Sequence, residues 1–182
     1  LDYTLSGGAV TFVTGAVPQA GDILLASYRV GGSSQPATFQ VICNNDGSST
    51  NGTALVSLGS CTIPAASLLP GDRLELRFHY SHEGAASGFT FSVRWGATTV
   101  ASRSAAATDS LAIGEVNVVP AAGGAQYGAQ SWGSELALAA AAGNAPDSLS
   151  AGINIDFLGQ MAASTGDSVT LRNFTVIRYP AQ

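Results

Sequence analysis

Arg73-Leu74-Glu75-Leu76-Arg77-Phe78-His79-Tyr80 and, after a short polar interval, Phe89-Thr90-Phe91-Ser92-Val93-Arg94-Trp95 are the segments whose reading decides the fold. In the first, Leu74, Leu76, Phe78 and Tyr80 alternate with Arg73, Glu75, Arg77 and His79; in the second, Phe89, Phe91, Val93 and Trp95 alternate with Thr90, Ser92 and Arg94. A period of two puts each apolar set on one face of an extended strand. The interval Ser81 to Gly88 is small, polar and glycine-containing, so the two strands are expected to form a hairpin with a long loop. The expected register sets Phe78 opposite Phe91, Leu76 opposite Val93 and Leu74 opposite Trp95, because a one-residue slip opposes apolar to polar faces. It also sets Glu75 opposite Arg94 on the solvent side, an exposed pair worth about 0.2–1 kcal/mol.

Working outward, strand-like segments fall at 3–5, 10–13, 23–30, 38–43, 54–63, 98–102, 111–119, 149–158 and 169–179. The alternation breaks near Arg172 to Val176, where a bulge or a strand covered on both faces is expected. Residues 135–143 are Ala-rich and have helix propensity. Their strand neighbours, the preceding Trp132-Gly133 and the lack of an apolar stripe favour a strand. Many short strands separated by Gly, Pro and Asp turns predict an all-β fold, an antiparallel β-sandwich of jelly-roll type with an N-terminal strand or hairpin extension. The composition change at Gly31-Gly32-Ser33-Ser34-Gln35-Pro36 divides the chain into an N-terminal strand segment, 1–32, and a sandwich domain, 33–182. The first piece is too small to stand alone and is expected to pack on the main domain or a neighbour.

Composition narrows the function classes. The chain has 182 residues, 46% hydrophobic and only 10% charged, which suits a folded core rather than a disordered tail. Its seven basic residues are all Arg and are scattered, against twelve acids and a net charge of −5, so a nucleic-acid partner is not expected. No apolar run approaches the roughly 20 residues of a membrane helix, and no membrane insertion is expected. Leu1 opens within a strand-like pattern with no signal-peptide layout, which reads as a processed or partial chain.

The search for chemistry returns binding candidates only. There is no GxSxG elbow, and the two histidines lie within one short segment, His79-Tyr80-Ser81-His82-Glu83. That segment reads as a solvated loop end with His79 on the solvent face and His82 in the loop; no metal and no cofactor is expected. Glu83, Glu115, Glu135 and Asp156 make a catalytic carboxylate pair formally conceivable, but the acids fall mostly at turns or on polar strand faces. Asn44-Asn45-Asp46-Gly47-Ser48 lacks a calcium-loop pattern and reads as a mobile loop. Asn51-Gly52-Thr53 and Asn173-Phe174-Thr175 match the glycosylation sequon. Gly21-Asp22, Gly71-Asp72 and Gly166-Asp167 each precede an apolar strand and read as turn punctuation, with the carboxylate bonding nearby amides. Cys43 and Cys61 flank a Gly/Ser/Asn-rich segment and form either a disulfide or two buried thiols. No catalytic residue is assigned, and the chain reads as non-enzymatic.

Exposed aromatics are the best sign of a ligand. Trp95 lies on an apolar strand face and reads as core. Tyr127, Gln130 and Trp132, within Gln126-Tyr127-Gly128-Ala129-Gln130-Ser131-Trp132-Gly133, are flanked by glycines and amides; they read as a glycan platform, a core element or a subunit contact.

Leu1-Asp2-Tyr3-Thr4-Leu5-Ser6-Gly7, Val10-Thr11-Phe12 and Pro18-Gln19-Ala20-Gly21-Asp22-Ile23-Leu24-Leu25-Ala26-Ser27-Tyr28 together resemble a module recurrent in tail-fibre and other virion surface proteins of tailed bacteriophages. Cys61-Thr62-Ile63-Pro64-Ala65 followed by Leu69-Pro70-Gly71-Asp72 resembles the opening of the jelly-roll head domains such proteins carry at their C-terminus. The resemblance implies a virion structural protein, a homotrimer that contacts other virion proteins and decorates the particle or touches the host surface. It implies a virion-surface or extracellular location. Two other classes fit the same residues. A secreted carbohydrate-binding module predicts Tyr127 or Trp132 exposed beside polar partners, and a bacterial surface or filament subunit predicts that residues 1–30 pair with a neighbouring copy.

Overall fold

The computed structural model describes residues 3–6, 9–13, 15, 38–121 and 123–181. The chain divides into two units, residues 1–35 and residues 36–182. The strand expected at 23–30, the Gly21-Asp22 turn and the boundary expected at 32/33 lie outside the described residues. Within the first unit, β1 (Tyr3–Ser6) and β2 (Ala9–Phe12) form an antiparallel hairpin with Tyr3 opposite Phe12.

The second unit is an antiparallel β-sandwich. Its strands are β3 (Gln40–Asn45), β4 (Ser49–Thr50), β5 (Val56–Ile63), β6 (Arg73–Glu83), β7 (Phe89–Trp95), β8 (Thr98–Ala105), β9 (Leu111–Ala121), β10 (Gly124–Gly133), β11 (Ala139–Ala145), β12 (Ile153–Met161) and β13 (Ser168–Tyr179). One sheet runs β11-β10-β9-β6-β13-β3, with β4 also on β13; the other runs β5-β12-β7-β8. Stripped of β4 and of the β10–β11 hairpin, these are two four-stranded sheets in jelly-roll order. The hairpin is thus an addition that widens one sheet at its edge. Among the described residues the only helical turn is Leu149–Ala151, and no helix is long and apolar enough to cross a membrane.

The alternation of Arg73–Tyr80 and Phe89–Trp95 correctly identifies the core faces. Leu74, Leu76, Phe78, Tyr80, Phe89, Phe91, Val93 and Trp95 are all buried. The expected hairpin, however, does not form. β6 pairs with β9 and β13, whereas β7 pairs with β8 and β12 in the opposite sheet. Phe78 and Phe91 meet across the interior with their rings tilted by 50° and centroids 5.6 Å apart, and Tyr80 stacks on Phe91 at 5.3 Å. The segment between them is an arch that spans the roughly 10 Å between layers. An alternating pattern states which side chains seek the core; lateral pairing and packing across the core satisfy it equally. Glu75 and Arg94 consequently point away from each other, each on the outer face of its own sheet.

The arch is held from outside by Asp167, whose Oδ2 accepts hydrogen bonds from the Ala86 and Ser87 amides, both at 2.8 Å. Gly84 is required there: its φ is +111°, and any Cβ would collide with the Asp167 carboxylate. Asp72 also exceeds local punctuation. It accepts from the Leu69 amide within its own turn, and also from the Ala181 amide and Arg178 Nε at 2.9 and 2.8 Å.

The irregularity near Arg172 is a bulge, with the β13–β6 register shifting between Leu171 and Asn173. Its effect is to point both Arg172 and Asn173 outward while keeping Leu171 and Phe174, three residues apart, in the core. The Ala-rich segment is strand from Ala139, because seven rungs of pairing with β10 outweigh its helix propensity. Residues 149–151 form the helical turn, so the strand expected from 149 begins at Ile153. Asn44 and Asn45 belong to β3, and the exposed turn that follows is anchored by its backbone: the Gly47 amide bonds the Leu171 carbonyl at 3.0 Å and the Ser48 amide that of Leu58 at 2.7 Å. Cys43 and Cys61 are joined in a disulfide with Cα atoms 6.0 Å apart, linking β3 of one sheet to β5 of the other.

Candidate functional site

Strand parity and register build one polar face, the outer surface of the larger sheet. Across β10, β9, β6 and β13 one row reads Gln130, Glu115, Arg77, Thr175 and the next reads Gly128, Asn117, Glu75, Ile177. Trp132 stands beside Ile113 one row to one side, and Arg73 beside Tyr179 one row to the other.

The electrostatics centre on Glu75. Although it faces outward, only 6% of it is exposed. It accepts from Arg77 Nε and from the Tyr179 hydroxyl at 3.0 Å, with the Arg73 guanidinium at 4.0 Å. Bonding to this carboxylate raises the pKa of Arg77 and, with burial, that of the Tyr179 phenol. Arg73 lies 4.3 Å over the Tyr179 ring, a cation–π contact that fixes both groups. A second carboxylate, Glu115, accepts at Oε1 from Asn117 Nδ2 at 3.2 Å and Gln130 Nε2 at 3.4 Å. The face is therefore a pre-set array of two carboxylates, two guanidiniums and two amides, with Trp132 and Tyr179 as aromatic flanks.

The structure separates the three residues expected to form a platform. Gln130 and Trp132 project outward on β10, with Trp132 38% exposed. Tyr127 projects to the opposite side, half-buried against the core, with its ring over Gly143 of β11. Odd and even positions of one strand cannot share a face.

Other candidate constellations are likewise dispersed. His79 is outward on β6, while His82 belongs to the strand rather than a loop. It is buried against Phe89, and Nδ1 donates to the Asp109 carbonyl at 2.9 Å. Glu115 and Asp156 sit on outer faces of different sheets, Glu83 pairs with Arg172, and Glu135 accepts from Thr108. No group of three or more His, Cys, Asp or Glu suited to a metal occurs among the described residues. The sequence weighs Glu115 only as a carboxylate of a conceivable catalytic pair and Glu75 only as a partner of Arg94; their convergence with Arg77 and Asn117 in one array is not read from it. Each was legible as the polar side of a strand, but their convergence depends on β9 lying beside β6.

No protein-family model and no curated protein matches the chain. Similar solved structures include the insecticidal delta-endotoxin Cry8Ea1 from Bacillus thuringiensis, 13% identical, covering 70% of this chain and 18% of that one with a TM-score of 0.36. Peanut lectin with a nine-residue peptide is 9% identical, covering 84% of this chain and 94% of that one at a TM-score of 0.39. The VP2 subviral particle of infectious bursal disease virus is 14% identical, covering 91% and 45% at a TM-score of 0.27. The jelly-roll assignment stands on the strand order above.

Proposed function

We propose that the protein is a non-enzymatic surface module of a virion, of tail-fibre, receptor-binding or decoration type, that acts by contact through the outer face of its larger sheet. The observation carrying this reading is the array on that face, where buried Glu75 holds Arg77 and Tyr179 in place while Gln130 and Trp132 stand exposed beside it. Preorganised polar groups with exposed aromatics are the composition of recognition surfaces. The resemblance to phage tail-fibre modules supports the virion setting, a homotrimeric state and a virion-surface location. A secreted carbohydrate-binding module is the second reading, favoured by the shared outward face of Gln130 and Trp132.

The test is mapping by face. Labelled protein is scored for binding to a panel of intact bacterial cells, comparing Arg77→Ala/Gln130→Ala with Arg94→Ala/Asp156→Ala on the outer face of the smaller sheet. The first pair is expected to lose binding and the second to keep it. Loss confined to the second pair, or no cell binding by the unaltered chain, overturns the reading.

A further inference from the structure

Gly128 has no structural reason to be glycine. It sits in the middle of β10, where glycine costs about 0.5–1 kcal/mol relative to Ala. Its φ is not in the left-handed region, and a Cβ built on it meets no described residue within 4 Å. Other glycines of this sheet contrast with it: a Cβ on Gly114 would strike the Phe78 ring, and one on Gly143 would lie 2.8 Å from the Tyr127 hydroxyl. The cross-strand neighbours of Gly128 are Asn117 on β9 and Ala142 on β11, and Ala140 follows opposite Gln130. These positions make a nearly bare floor beside the polar array. A mid-strand glycine marks a bulge, a tight bend or a close approach by a ligand or another backbone, and the register with both neighbouring strands runs unbroken through Gly128, which favours the close approach.

The polar groups bordering this floor have unused capacity. Glu115 Oε1 is held by two amides, and Oε2 has no hydrogen bond to any described residue. Arg77 commits Nε to Glu75, and its terminal nitrogens are likewise without a hydrogen bond among the described residues. Arg77 and Glu115 are cross-strand partners, so an acceptor and a donor stand side by side on strands roughly 5 Å apart. That pairing matches two adjacent hydroxyls, one donating to Oε2 and one accepting from the guanidinium. Arg73 and Arg77 balance Glu75 and Glu115, so the array favours neither an anionic nor a cationic ligand. Trp132, one row away, offers an apolar ring to the C–H face of a sugar.

We propose that Glu115, Arg77, Asn117 and Gln130, with Gly128 as floor, form a subsite for one neutral, hydroxyl-rich sugar ring, an inference that rests on the contact face proposed above and names its ligand. Asn117 and Gln130 position Glu115, and Gly128 admits the ring.

The experiment probes an array of neutral oligosaccharides ending in galactose, glucose, mannose or N-acetylhexosamine, with sialylated and sulfated glycans alongside. The unaltered protein is expected to retain neutral glycans. Gly128→Thr should weaken that binding at least about tenfold with an equal or higher Tm, since threonine suits a strand facing open space. Glu115→Gln should also weaken it. Binding confined to charged glycans, neutral binding indifferent to Gly128→Thr, or retention of no glycan overturns the inference. If glycans fail while Arg77→Ala/Gln130→Ala still abolishes cell binding, the sugar subsite falls and the contact face stands. If the unaltered protein is an oligomer that Gly128→Thr dissociates without any glycan effect, the floor seats a second copy and the inference is overturned.

Discussion

At Asp72 one buried carboxylate gathers three donors: the Leu69 amide of its own turn, and the Ala181 amide and Arg178 guanidinium from the end of the chain. Burial pushes its pKa up, but the two amides and Arg178 together bring it below the usual carboxylate value. Asp72→Asn leaves Arg178 buried and unpaired, and urea unfolding should register a loss of about 3–5 kcal/mol. Because the folded-state pKa is depressed, the carboxylate's contribution is fully present above about pH 4 and disappears as pH falls through the folded value. Urea midpoints of the unaltered protein should fall over that acid range, and Asp72→Asn should flatten that part of the fall. Gly114 gives a second prediction at this scale. Gly114→Ala must move the Phe78 ring within a packed core, and thermal unfolding should show about 1–3 kcal/mol of destabilisation. The Gly-Asp pairs were legible as turns. What Asp72 reaches beyond its turn was not, because Arg178 and Ala181 are brought near only by the pairing of β13 with β6.

Among the elements, the β6–β7 arch is the most instructive. Its buried faces could be read from Leu74, Phe78, Phe91 and Trp95 alone, since alternation is a local property. Which strand lies beside β6 is not local: both of its edges are taken by β9 and β13, far along the chain, and β7 is left to pack across the core. β10 went unread as a strand because its inward positions are Ala125, Tyr127, Ala129 and Ser131, too small or polar to show an apolar period. Without β10 in place, neither the separation of Tyr127 from Trp132 nor the convergence of Gln130 with Glu115 was available. Asp167 clamps the arch, so Asp167→Ala should speed hydrogen exchange at the Ala86 and Ser87 amides while leaving the amides of β9 unchanged. Mass spectrometry of exchanged peptides checks this.

For the sandwich as a whole, the disulfide ties one sheet to the other through β3 and β5. Its cysteines are 18 residues apart, and removing such a cross-link frees loop entropy in the unfolded chain worth about 3 kcal/mol. Cys43→Ser/Cys61→Ser should lower stability by about that amount, read from denaturant midpoints with and without reductant. Light scattering of the unaltered protein should return the mass of a trimer; a monomer would remove the homotrimer from the proposal. Within the sandwich, among the described residues, the chain changes sheet at β4–β5, β5–β6, β6–β7, β8–β9, β11–β12 and β12–β13, and only β7–β8, β9–β10 and β10–β11 pair as sequence neighbours within a layer. Each layer is therefore gathered from strands scattered along the chain. Such non-local wiring predicts slow assembly, on the order of milliseconds to seconds, because distant stretches must meet before either sheet gains its inner pairings.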